Sequence, residues 1–120
     1  MPRPLVVKVT CGAEEPERCN QGFTVAATAV AAGAEVSLWL TGEAAWFGVP
    51  GRAEEFSLPL ATPLSDLLRA VLADGQVTVC SQCAARREIG PDDVLAGVRI
   101  AGAAVFAEEI LREDVQAVVY

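Results

Sequence analysis

A chain of 120 residues that is 52% hydrophobic and 21% charged carries enough apolar material for one core, and is expected to fold as a single domain over 1–120. Sixteen acidic residues against nine basic ones leave a net charge of −7, which argues against direct binding to nucleic acid or to an anionic membrane. Histidine is absent, and that excludes Ser-His-Asp and Cys-His catalysis, histidine-ligated zinc and histidine pH switches together.

Residues 5–10 form a β-branched run whose only charge is Lys8, the pattern of a strand covered on both faces, and it ends at Cys11-Gly12. Glu14-Glu15-Pro16-Glu17 places proline and carboxylates where a helix begins, and an alanine-rich helix follows to Gly33. Residues 35–41 read as the second strand, running into Gly42 and a short helix that carries Trp46 and Phe47. Residues 48–59 read as irregular. Leu64, Leu67, Leu68, Val71 and Leu72 fit the helical template i, i+3, i+4, i+7, i+8, with Gly75 as the stop.

Residues 76–79 give the third strand, which delivers the chain to Cys80-Ser81-Gln82-Cys83 at the start of a helix reaching Arg87. A short helix from Pro91, a fourth strand over 98–101, a helix over 103–112 and a fifth strand over 115–120 complete the chain. Strands separated by crossover connections imply an α/β fold: a three-layer α/β/α arrangement with a five-stranded parallel sheet. Ligands of such sheets collect beyond the carboxyl ends of the strands, where Cys11, Gly42, Cys80 and Gly102 fall. The strand order is open, and with it whether Cys11 neighbours Cys80.

The chemistry concentrates in the cysteines. A thiol where a strand becomes a helix meets unpaired backbone N–H groups, which favour thiolate, and Cys80 has that position with Cys83 one turn on. Cys80 and Cys83 are therefore the candidate catalytic pair. Cys11 is a candidate for lining the same cleft, whereas Cys19 reads as packing. Arg86 and Arg87 follow at helical spacing, and supply positive potential or a grip on an acidic partner, or merely neutralise the end of a short helix. Gly42 opens a candidate anion-binding turn, and Trp46 either floors a pocket, fills an interface between subunits or packs in the core. With no GxGxxG or P-loop, no nucleotide cofactor is called for.

The N-terminus Met1-Pro2-Arg3-Pro4 lacks a secretory pattern, so a reducing cytoplasm is expected. The longest uncharged run, Cys19 to Ala34, has sixteen residues including Asn20, Gln21 and Gly22, too short and too polar to span a bilayer.

Taken with the preceding strand and the following Ala84-Ala85-Arg86-Arg87-Glu88-Ile89 and Asp92-Asp93-Val94-Leu95-Ala96-Gly97-Val98, the cysteine segment resembles the DsrE/DsrF-like (YchN-like) family. The resemblance spans nearly the whole chain, and only the cysteine segment is specific. It implies a DsrE-like fold, assembly as a homo-oligomer (trimer or hexamer), and a sulfur-relay role in which Cys80 accepts sulfane sulfur as a persulfide. Donor and acceptor proteins or small thiols would be the partners. Glu88 departs from the family pattern, which has glycine there.

Other readings stay open: a thiol-disulfide redox protein using Cys80 and Cys83, a module in which Cys11, Cys80, Cys83 and Cys19 hold zinc or an iron–sulfur centre, and a non-catalytic oligomeric subunit. The redox reading lacks an aromatic-Cys-Gly-Pro-Cys setting, and the metal reading has poor ligand spacing.

Overall fold

The computed structural model describes residues 2–120. The valine-rich segments become strands β1 (Pro4–Val9), β2 (Glu35–Leu40), β3 (Gln76–Cys80), β4 (Val98–Ala101) and β5 (Gln116–Val119). They form one sheet, parallel at every pairing, in the order β4-β3-β2-β1-β5. The helices are α1 (Pro16–Ala31), α2 (Arg52–Glu55), α3 (Leu64–Asp74), α4 (Ser81–Arg86) and α5 (Ala103–Ile110), with 3-10 turns at Gly42–Gly48 and Pro91–Asp93. The α/β class and the five-stranded parallel sheet expected from the alternation are both present.

The order explains the layering. From β1 to β4 the chain steps along the sheet in one direction, and right-handed crossovers place every helix of that run on one face. The return from β4 to β5, beyond β1, crosses the other face and lays α5 there. Under α1 and α3 lie Val7, Val9, Leu38, Leu40, Val77 and Val79, packed with Phe23, Ala26, Leu64, Leu68 and Val71. Each fully buried side chain of this kind contributes about 1.5–3 kcal/mol.

The α5 face is mixed. Lys8, Trp39, Thr78 and Arg99 stand on one rung across four strands. Trp39 meets Phe106 of α5 edge to face at 5.2 Å, and Lys8 Nζ lies 4.7 Å over the same phenyl ring. Glu109 of α5 accepts from Ser37 Oγ at 2.6 Å, Trp39 Nε1 at 3.0 Å and Arg99 Nη2 at 2.6 Å. Arg99 Nε in turn donates to Thr78 Oγ1 at 2.9 Å, so every polar group of the rung apart from Lys8 is hydrogen-bonded beneath the helix.

Two segments differ from expectation. The stretch read as irregular contains α2, entered through Gly51 at φ +85°; four residues with one buried position, Ala53, are too few for periodicity to register. The last helix ends at Ile110 rather than Arg112, and Asp114 at φ +64° turns the chain into β5.

Candidate functional site

Adjacent strands β3 and β4 send their following helices to opposite faces of the sheet: Ala84 of α4 joins the core on the α1 side, and α5 covers the other. A parallel sheet opens a crevice where its connections diverge in this way. Cys80, the last residue of β3, stands at that point opposite Ala101, the last of β4. The two exits run close together, since a Cβ at Gly102 would come within 2.9 Å of Ser81 Oγ.

Cys80 is also the N-cap of α4, with φ −61° and ψ 128°, and its side chain is partly exposed. Burial pushes its thiol up, but the amides of Cys83 and Gln82, then the Cys83 thiol and the Lys8 ammonium, outweigh it and leave Cys80 below the ordinary 9.0. The amides approach the sulfur without closing a cap hydrogen bond, an arrangement that tightens as negative charge develops on the sulfur. By strand alternation Cys80 shares the face of Thr78 and Lys8, which explains how a cation two strands away bears on it.

Cys83, one turn along, is held separately. The backbone N–H of Gly42 donates to Cys83 Sγ at 3.2 Å. Gly42 sits at φ +55°, and a Cβ there would lie 2.5 Å from the Thr10 carbonyl oxygen, so the residue that presents this amide has to be glycine. Beside it, Glu43 Oε2 accepts from Arg87 Nε at 3.0 Å and Nη2 at 2.7 Å, while Arg87 Nη1 donates to the Cys83 carbonyl at 3.1 Å. Arg87 is thus internally paired, whereas Arg86, on the last turn of α4, is exposed and has no ion-pair partner among the described residues.

After Arg87 the N–H of Ile89 bonds to Ala84 O at 2.9 Å and that of Glu88 to Ala85 O at 3.2 Å, a Schellman motif with Glu88 in the left-handed position at φ +55°. The turn therefore keeps the geometry glycine favours although a glutamate occupies it.

Cys11 ends up apart from the pair, because β2 lies between β1 and β3. It is buried, its thiol faces the Glu15 carbonyl at 3.8 Å, and burial followed by Glu14 pushes it up. Cys19 packs fully buried in α1, where burial pushes it up to about 12. Among the described residues no three His, Cys, Asp or Glu side chains converge in a group able to hold a metal ion. Nor is any helix there long and apolar enough to cross a membrane.

Trp46 lines a cleft of about 220 Å³ with Ala13, Glu43, Phe47, Arg52, Glu55 and Phe56. The Arg52 guanidinium lies 4.1 Å from the centre of the Trp46 ring. Glu43 joins this cleft to the cysteine segment through Arg87. The Glu43–Arg87 link spans 44 positions of sequence, and no local pattern announces it.

A family model described as the DsrE/DsrF-like family matches residues 5–116. Among solved structures, the chain is similar to the ychN protein from E. coli, with a TM-score of 0.79 at 20% identity, covering 98% of this chain and 99% of that one. No curated protein matches by sequence. The structural likeness extends over both molecules end to end, and the family match takes in β1 through the start of β5 with the Cys80–Cys83 segment inside it. By that match, the chain belongs to the DsrE/DsrF-like family.

Proposed function

We propose that this protein is a sulfur carrier that holds sulfane sulfur as a persulfide on Cys80. The observation that carries the reading is Cys80 itself: a partly exposed sulfur at the crevice between β3 and β4, favoured as thiolate by the amides of Cys83 and Gln82. Membership of a family associated with sulfur relay supports it. The Cys80 thiolate attacks the outer sulfur of a donor persulfide R–S–SH, forming Cys80–S–SH and releasing R–S⁻. An acceptor thiolate then attacks that outer sulfur, takes it as its own persulfide and regenerates the Cys80 thiolate.

Arg86, exposed and without an ion-pair partner among the described residues, serves to dock an acidic donor or acceptor, protein or small thiol. The same proposal includes a reducing cytoplasmic setting and a trimeric or hexameric assembly, which sedimentation of the purified chain measures. Incubation with a sulfane donor followed by intact mass should add one sulfur atom that reductant removes. Cys80→Ser should abolish the addition and Cys19→Ser should keep it; no uptake on Cys80 with any donor defeats the proposal.

The nearness of the Cys83 thiol to Cys80 favours a second reading, dithiol redox exchange. Here Cys80 attacks a substrate disulfide, Cys83 resolves the mixed disulfide, and two electrons leave the pair as Cys80–Cys83 closes. Catalysed insulin reduction that requires both cysteines would select this reading over the first.

A further inference from the structure

The contacts around Cys83 close on themselves. Gly42 N–H holds its sulfur, Arg87 Nη1 holds its carbonyl, and Arg87 is fixed in turn by two N–H bonds to Glu43, the covalent neighbour of Gly42. Side chain and backbone of one residue are thus gripped by a single unit. Arg87 belongs to it with its side chain only 19% exposed and each of its three nitrogens engaged inside the ring.

We propose that this ring keeps the Cys80–Cys83 pair in its dithiol form, with Arg87 as the positioning residue. A thiol sulfur, and a thiolate more so, accepts an amide N–H better than a disulfide sulfur does, because it carries more negative charge. Closing the disulfide pulls two electrons from the pair and weakens the Gly42 bond, so a ring that fixes this bond opposes oxidation. The effect leaves Cys80 free to take up sulfur instead of being consumed by its neighbour. Gly42 itself cannot be varied cleanly, given its left-handed φ and the nearby Thr10 carbonyl, so the test works from the other side of the ring.

The unmodified 120-residue chain, Arg87→Gln, Glu43→Gln, the double variant and Arg87→Lys are equilibrated in mixtures of reduced and oxidised dithiothreitol. In that exchange the two cysteines lose two hydrogens to the oxidised reagent as Cys80–Cys83 forms. Acid quenching, alkylation and mass measurement give the disulfide fraction, and far-UV circular dichroism checks the fold. Each single Gln variant should shift the equilibrium roughly three- to tenfold toward the disulfide, the size expected for one lost hydrogen bond. The double variant should shift no further than either single one, and Arg87→Lys, which keeps charge but reaches fewer acceptors, should fall between. Arg69→Gln, which breaks the exposed pair with Asp66 on α3, should leave the equilibrium where it was. No shift, a shift toward the dithiol, additive effects in the double variant or an equal shift in Arg69→Gln overturns the proposal. The proposal rests on Cys80 as the working thiol, but its readout involves no sulfur transfer. Absent sulfur uptake with the redox shift intact sinks the carrier reading alone, and uptake without the shift sinks the ring alone.

Discussion

Cys19 and Cys80 occupy opposite electrostatic settings, and each follows from where the fold places the residue, inside α1 or at the end of β3. Cys19 is walled in by α1 and the core, so its thiolate has no solvation and its proton is held up to about 12. Cys80 is desolvated too, but the amides of Cys83 and Gln82 reverse the sign. The rate of Cys80 alkylation against pH should therefore show a midpoint below 9.0, while Cys19 stays unmodified until the chain unfolds. Linkage sets the sign for stability: the raised Cys19 value contributes in full below the ordinary 9.0 and is lost as pH climbs from there towards about 12. Peptide mapping of alkylated protein between pH 6 and 10 checks both, and Cys19 labelling as readily as Cys80 in the folded state would contradict them. The CxxC and its strand-to-helix setting were legible because they are local. The partner of Cys83 was not, since Gly42 lies 41 residues away and only the β2–β3 pairing brings it near.

Elements were readable in proportion to their length and periodicity. α3 was plain from five apolar positions at helical spacing, and the parallel sheet from the connections long enough to cross over. The order of the strands was not, because every strand is apolar enough to sit anywhere in the sheet, and that order is what parts Cys11 from Cys80. α4 has a readable start and an unexpected end. Glutamate in the left-handed position of its Schellman turn carries a penalty of about 1–2 kcal/mol, partly offset by the larger freedom glycine has when unfolded. Glu88→Gly should accordingly stabilise the protein by about 0.5–1 kcal/mol in urea titration, with Cys80 reactivity unchanged. A neutral or destabilising result would mean that the Glu88 carboxylate, rather than its backbone, determines its worth at that position.

Across the whole molecule the two faces of the sheet are held by different physics. The α1 and α3 side is an apolar core with fully buried Phe23, Leu38, Leu64 and Val71, whereas α5 buries no residue completely and relies on Glu109 gripping Ser37, Trp39 and Arg99. Ser37 and Trp39, two apart on β2, share this polar face, which the reading of residues 35–41 as a strand did not single out; the Arg99–Glu109 pair gave no hint either, since its two members lie in separate elements. Burial pushes Glu109 up, but the hydrogen bonds from Ser37, Arg99 and Trp39 and the charge of Arg99 together bring it below its ordinary 4.5. A carboxylate lowered on folding stabilises the native state fully above its unfolded value and loses that contribution as pH falls through the folded one. Acid below 4.5 should therefore release the α5 layer before the rest of the molecule. Hydrogen exchange followed by mass spectrometry should show amides of residues 103–110 losing protection on acidification while those of α1 and β2 keep theirs. Glu109→Gln should reproduce the pattern at neutral pH, with about 1–2 kcal/mol lost locally and a roughly five- to thirtyfold rise in exchange. Uniform loss across both faces would show instead that α5 opens only with the core, and that its polar anchor is incidental to how the layers are held.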